Sequence, residues 1–172
     1  MIRHSFKHTE NLIKGHNGIL YEVLPKDNPS KFRLLEHYFF DTGIKLRKSI
    51  DIEFVGLMTT GRVHVRAGFT WDGATCFPDI QSVIRSSLEH DALYTLFILE
   101  LLDQKHRKTV NGRFYDVCVK DGMSTWLAKV VYETLRMFGD NHIGNSIENR
   151  VQAGTVQTIQ PENNGEIKCL LK

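Results

Sequence analysis

The stretch Ser-Leu-Glu-His-Asp-Ala-Leu-Tyr, residues 87–94, lies in the middle of the longest apolar-periodic segment of the chain. The pattern predicts a buried helix, in which Tyr94 lies one turn beyond His90 and on the same side. A buried imidazole next to the carboxylate of Asp91 is costly unless both groups have partners. His90 is therefore either a core histidine bonded to its neighbours or, since imidazole exchanges protons near neutral pH, the centre of a reactive site.

The segment around this stretch predicts a first helix from about residue 80 to 102. Its apolar residues recur at helical spacing and then occupy nearly all sides, which indicates burial between other elements. Pro78 blocks an earlier start, and Asp79 is expected to be the N-cap. The charged residues 103–112 are predicted to form a loop.

Two further helices are predicted after this loop. The second covers residues 113–120, and Ser124 caps a third helix that ends at Gly139. Apolar side chains at helical spacing are expected to face the core in both. These side chains are Phe114, Val117 and Cys118 in the second helix and Trp126, Val130, Val131, Leu135 and Phe138 in the third.

Residues 18–68 predict short strands. Runs rich in aromatic and branched residues, separated by turn residues, are typical of strands, and Thr-Thr-Gly at 59–61 indicates a hairpin turn. Tight links between short strands favour a small antiparallel sheet. The predicted strands are residues 19–24, 32–40, 50–58 and 62–67.

The predicted fold class is α+β, a small antiparallel sheet followed by a three-helix unit. The 172 residues are enough for one domain with a core. We assign that single domain to residues 18–142. A polar N-terminal arm, residues 1–17, precedes it, and a polar C-terminal extension, residues 143–172, follows it as an extended tail.

The composition restricts the expected partners. Apolar residues make up 41%, charged residues 24%, and the formal net charge is +2 with scattered basic residues, so neither nucleic acid nor an anionic membrane is predicted as a partner. Three cysteines without CxxC spacing argue against a disulfide scaffold. The first residues have no apolar core, so no secretory signal is expected, and the longest apolar run, residues 93–102, is too short for a transmembrane segment.

The carboxylates of Asp72, Asp91 and Asp116 stand before, beside and after His90 in the sequence and suggest a reactive site with it. If the first two helices pack antiparallel, Asp116 can lie beside His90 and hold one imidazole nitrogen, which leaves the other nitrogen free to take a proton from water. Asp91 and Asp72 would add oxygen ligands of the kind that Ca²⁺ or Mg²⁺ prefers. These groups together describe metal-assisted hydrolysis. In the alternative, Asp116 and Asp72 are cap and turn residues and His90 only bonds its neighbour.

Four pieces of the chain, in order, resemble a phage and prophage family catalogued as a domain of unknown function. The family pattern runs GFxTDGASxP, HDxLY, ADxxF and RxFG. Here the pieces read Gly-Phe-Thr-Trp-Asp-Gly-Ala-Thr at 68–75, His-Asp-Ala-Leu-Tyr at 90–94, Asp116, and Leu-Arg-Met-Phe-Gly at 135–139. The resemblance covers roughly residues 18–142.

The chain departs from this pattern in detail. Trp71 replaces the threonine before the first aspartate, and Thr75 replaces the serine. Tyr115 and Val119 replace the alanine and phenylalanine around Asp116.

The HDxxY and AD pieces are also similar to the phospholipase A2 domain of parvovirus capsids. That resemblance implies His90 as the base, Asp116 as its orienting partner, Asp91 as a calcium ligand, and Tyr94 as a hydrogen-bonding support. The glycine-rich calcium loop of those enzymes has no clear match, so the loop at residues 72–73 would have to replace it.

The expected function is therefore a phage-encoded hydrolase of lipid esters that uses Ca²⁺ or Mg²⁺. The alternative is a structural component of the phage tail or head that uses the same fold as a scaffold. Its C-terminal extension would contact other virion proteins or a second copy of the chain. Either protein is expected in the host cytoplasm or in the assembled phage particle.

Overall fold

The computed structural model describes residues 12–74 and 79–136, and it confirms the α+β class. The predictions for the C-terminal extension and for the end of the third helix lie outside the described residues. Strands come first and helices follow. The elements are β1 Leu12–His16, β2 Ile19–Val23, β3 Phe32–Leu34, β4 Tyr38–Asp41, β5 Ile50–Asp51, β6 Val55–Leu57, β7 Arg62–Val65, β8 Thr70–Trp71, α1 Gln81–Ile98, a 3₁₀ turn Gln104–His106, α2 Arg107–Lys120 and α3 at 125–136.

The strands form two antiparallel sheets rather than the single predicted sheet. One has the order β1-β2-β3-β8 and the other the order β4-β7-β6-β5. The predicted strand 32–40 is divided, because residues 35–37 leave the first sheet and its second half joins the other one. The predicted strand 50–58 folds back on itself as the β5–β6 hairpin.

The N-terminal arm was predicted too long. Residues 12–16 form β1, which pairs with β2 along its whole length. The two strands are joined by Asn17 and Gly18, which have φ angles of 43° and 85°. An Asn-Gly pair with positive φ at both positions matches the right-handed twist of a hairpin, so this turn fixes the β1–β2 register.

Helix α1 lies at the centre of the core, where side chains of both sheets pack against it. Trp71 of β8 is fully buried, and its Nε1 donates a hydrogen bond to Ser87 Oγ at 3.1 Å. Tyr38 of β4 donates to Glu89 Oε1 at 2.6 Å. The two sheets therefore hold the same turn of α1, and this turn carries His90.

The N-cap prediction for α1 was wrong. The helix begins after Ile80, which makes no side-chain cap, and its first turn contains no acidic residue. Asp79 instead accepts a hydrogen bond from Lys31 Nζ at 2.8 Å. The Asp79 carboxylate therefore pairs with a residue next to β3 instead of capping α1.

Helix α2 begins at Arg107, well before the predicted start at residue 113. The predicted loop 103–112 contains Val110 and Asn111, which are buried against the rest of the molecule. Val110, Phe114 and Val117 occupy one helical stripe, as expected for a helix with one buried side. The prediction that Phe114, Val117 and Cys118 face inward is confirmed.

Helix α3 begins as predicted but has a different side buried. Ser124 Oγ accepts a hydrogen bond from the backbone N–H of Leu127 at 3.4 Å, as a cap does. The predicted core positions Trp126 and Val130 are 73% and 42% exposed, whereas Ala128 and Val131 are buried. The small Ala128 side chain faces the second core cluster, which includes residues of α2.

Candidate functional site between the first two helices

His90 is 8% exposed and meets a polar partner at each ring nitrogen. Its Nε2 lies 3.3 Å from Asn111 Oδ1 on α2, and its Nδ1 lies 3.6 Å from Asp91 Oδ1. The ring edge contacts Phe114 at a centroid distance of 5.6 Å. The imidazole is therefore held between an amide and a carboxylate.

Tyr94 and Arg107 complete this cluster. The Tyr94 ring stacks on the His90 ring with centroids 3.9 Å apart, and its hydroxyl donates to Asn111 Oδ1 at 2.7 Å. Arg107 Nε donates to the Tyr94 hydroxyl at 3.3 Å, and its guanidinium lies over the same ring. The predicted hydrogen-bonding role of Tyr94 is therefore directed to Asn111 rather than to the imidazole.

This chain of donors favours one tautomer of the imidazole. With Asn111 Oδ1 as the acceptor, the hydrogen of the neutral ring is on Nε2 and the lone pair is on Nδ1, the nitrogen that faces Asp91. The Asp91 side chain, which faces this nitrogen, is 17% exposed, and the His90 side chain is 8% exposed.

The structure does not bring Asp116 to His90. Asp116 is exposed and lines a groove between α2 and α3 together with Tyr115 and Lys129. It follows Asn111 by five residues, which is a rotation of about 140° around the helix. When Asn111 faces α1, Asp116 must face elsewhere, so the predicted contact between Asp116 and His90 is absent and Asn111 takes that position.

A signal for Asn111 was present in the sequence. The pattern ADxxF requires a phenylalanine three residues after the aspartate. Phe114 stands three residues after Asn111, whereas Val119 stands at that distance from Asp116. The amide oxygen of Asn111 accepts a hydrogen bond as a carboxylate does, but it carries no charge, so a pattern of carboxylates does not include it.

Asp72 was predicted to share a metal site with Asp91. It is half-buried and follows Trp71, whose indole bonds Ser87 one turn before Asp91. Within residues 12–74 and 79–136, however, no three His, Cys, Asp or Glu side chains lie in positions that could hold a metal ion. Calcium or magnesium binding by Asp72 and Asp91 stays a prediction.

Glu89 forms a second polar cluster that the sequence did not reveal. It is 2% exposed, accepts the Tyr38 hydroxyl at 2.6 Å, and accepts Arg113 Nε at 2.6 Å. Arg113 also donates to the backbone oxygen of Asp41 and lies over the Phe40 ring. Burial, with the nearby Glu89 charge, raises the pKa of Tyr38 well above its ordinary value, so the phenol stays a hydrogen-bond donor.

Two other buried groups act in packing rather than in chemistry. Arg85 binds Asp121 through two nitrogens, and His16 Nε2 lies 3.5 Å from the same carboxylate, so the β1–β2 hairpin is tied to the end of α2. Cys118 Sγ lies 3.0 Å from Ser86 Oγ, and burial raises the pKa of this thiol to about 11. Cys118 is therefore a protonated thiol near neutral pH and a poor nucleophile.

Comparison of the chain with protein-family models, with curated proteins and with solved structures found no match in any of the three. In the described part of the chain, no helix has the length and apolar character that crossing a membrane requires.

Proposed function

We propose that the chain is a hydrolase of ester bonds in which His90 is the general base. The observation that carries the proposal is the arrangement of the imidazole. Its Nε2 lies 3.3 Å from Asn111 Oδ1, and its Nδ1 faces the half-buried Asp91 at 3.6 Å. A carboxylate beside the ring stabilises the imidazolium that forms when a general base takes a proton.

In the proposed reaction, a water molecule hydrogen-bonds to His90 Nδ1 beside Asp91 and attacks the ester carbonyl carbon. Nδ1 takes the water proton as the new C–O bond forms. The same proton then passes to the leaving alkoxide as the original C–O bond breaks, which gives an acid and an alcohol. The Asp91 carboxylate stabilises the imidazolium between the two steps, and Asn111 keeps the ring oriented.

We propose lipid esters as the substrate class and a phage as the source of the chain. Both proposals rest on the order of the motifs, which resembles that of the phage and prophage family and, in part, that of the parvovirus phospholipase A2 domain. A role for Ca²⁺ or Mg²⁺ at Asp91 and Asp72 belongs to the same proposal. Because the described residues do not gather a ligand set, the mechanism above is written with the chain's own residues.

The test is release of product from p-nitrophenyl butyrate and of fatty acid from phosphatidylglycerol vesicles, each with Ca²⁺ and with a chelator. We expect His90→Gln to lower the rate by about a hundredfold or more, because the general base is lost. His64→Gln is the matched control, since His64 lies on β7 and contacts His37 instead. Circular dichroism checks that both variants are folded.

Three outcomes would contradict parts of the proposal. Wild-type protein that cleaves neither substrate overturns the hydrolase function and leaves the virion component as the alternative. An equal loss in His64→Gln overturns the role of His90. A rate that the chelator does not change removes the metal ion from the proposal.

A further inference from the structure

A second region with the chemistry of a ligand site lies at the other end of α1 from Arg107. A groove of about 860 Å³ opens between the β1–β2 hairpin, the turn at residues 25–31 and the first turn of α1. This volume is in the range of small-molecule sites. His90 lies about 13 Å further along α1 by helical rise, so the groove is distinct from the site proposed for hydrolysis.

The charged residues of the groove are mostly basic. Lys14, Lys26 and Lys31 line it, and Asp79 is the single carboxylate among its described lining residues. Asp79 is already paired with Lys31 at 2.8 Å. The two other lysines are exposed and form no ion pair with any described residue, so they leave an excess of positive charge around the groove.

The first turn of α1 adds backbone donors. This helix is 18 residues long, its N-cap Ile80 provides no side-chain cap, and no acidic side chain lies in its first turn. The N–H groups of such a turn, with the positive end of the helix dipole, attract anions. Gln81 places this turn on the wall of the groove.

Ser30 supplies an independent observation. It lines the groove and is 1% exposed, and its Oγ has no hydrogen-bond partner among the described residues. Buried hydroxyl groups nearly always have partners, so Ser30 carries an unfilled hydrogen-bond position next to a basic groove. The ligand must offer an acceptor or donor beside the lysines.

The remaining wall is apolar. Tyr21, Phe32 and Ile84 line the groove with carbon surface. An inorganic anion alone would leave this surface without a partner, whereas an organic molecule carrying an anionic group would cover it. Lysines, a hydroxyl and a helix N-terminus together are the donors that proteins use for phosphate.

We propose that this groove binds a small organic molecule through its phosphate group. The phosphate lies between Lys14, Lys26 and the first turn of α1 and accepts the Ser30 hydroxyl. The organic part packs on the wall formed by Tyr21, Phe32 and Ile84. This site is independent of the hydrolase proposal.

The probe is phenyl phosphate, titrated into the full chain by calorimetry, with inorganic phosphate and phenol as its two halves. We expect phenyl phosphate to bind at least about fivefold more tightly than either half, because only the whole molecule uses both walls. Failure to bind at about 10 mM, or equal affinity for inorganic phosphate, overturns the proposal.

Charge variants of the groove test its location. We expect Lys26→Gln to weaken binding about fivefold or more and Asp79→Asn to strengthen it about threefold, since the two changes act on the local charge in opposite directions. Lys108→Gln, on α2 at the other end of α1, is the matched control and leaves the affinity unchanged. If Lys108→Gln weakens binding as much as Lys26→Gln, the attraction is not local and the site is wrong.

Ser30→Ala separates a ligand role from a structural one. We expect it to weaken phenyl phosphate binding by about threefold to tenfold, while the thermal midpoint of the ligand-free protein stays unchanged or rises, because an unsatisfied hydroxyl is removed. Unchanged affinity would show that the ligand does not use the hydroxyl. A lowered thermal midpoint would show that the hydroxyl stabilises the fold. Either result would overturn the assignment of Ser30 to the ligand site.

Discussion

Glu89 and His90 are neighbours in sequence, are both buried in α1, and have opposite kinds of surroundings. Glu89 is matched by a cation and a hydroxyl, Arg113 and Tyr38, which come from two other elements. His90 is held by the neutral amide of Asn111, and its Nδ1 lies 3.6 Å from the half-buried Asp91. One side chain is held by a cation and a hydroxyl, and the other by a neutral amide and a more distant carboxylate.

Within one helical turn, a buried polar side chain can be paired with a fixed cation or held by a neutral group. A buried charge whose partners are all fixed contributes to the rigidity of the fold, because removing either partner leaves the other unpaired. A buried imidazole with a neutral partner on one side can change its charge without breaking such a pair.

Glu89→Ala is expected to lower the free energy of unfolding by about 3 kcal/mol, because Arg113 and Tyr38 lose their common partner. Urea unfolding followed by circular dichroism measures the change in midpoint. Glu36→Ala is the matched control on an exposed glutamate and should change the stability by less than about 0.5 kcal/mol. A double variant with Arg113→Ala should lose less than the sum of the two single losses, and full additivity would contradict the pairing.

Asn111→Asp is expected to raise kcat/KM for ester cleavage about tenfold, because a carboxylate stabilises the imidazolium that forms when Nδ1 takes a proton. The acid limb of the pH–rate profile should also move to higher pH, since the protonated ring is favoured. A merely structural asparagine would not produce this movement.

The control for that substitution is Asn17→Asp in the β1–β2 turn, where both residues suit the backbone. It should change neither the rate nor the pH profile. If Asn111→Asp lowers the rate as far as His90→Gln does, the amide itself is required, and a carboxylate cannot replace it as the partner of Nε2.

The sequence predicted the elements that depend on local pattern. The long periodicity of α1, the cap at Ser124 and the turn at residues 59–61 were confirmed, because each depends on a few neighbouring residues. The α+β class followed from the order of these elements.

Features set by tertiary packing could not be predicted in the same way. Both sides of α3 carry apolar residues, so its rotation is decided by which side meets α2, and the small Ala128 was buried instead of Trp126. The start of α2 was hidden because its exposed side is as polar as a loop. The partner of His90 depended on that start, since the register of α2 decides which residue faces α1.

Asp116→Ala is expected to have the smallest effect on rate and stability. It also distinguishes Asn111 from Asp116 as the partner of His90. Because Asp116 is exposed and turned about 140° from Asn111, we expect the rate to change less than about twofold and the stability less than about 0.5 kcal/mol. Asp121→Ala on the following turn is the positive control for stability, because its fully buried carboxylate binds Arg85. If Asp116→Ala abolishes hydrolysis while the fold survives, Asp116 rather than Asn111 orients the imidazole in the working enzyme, and α2 must rotate for catalysis.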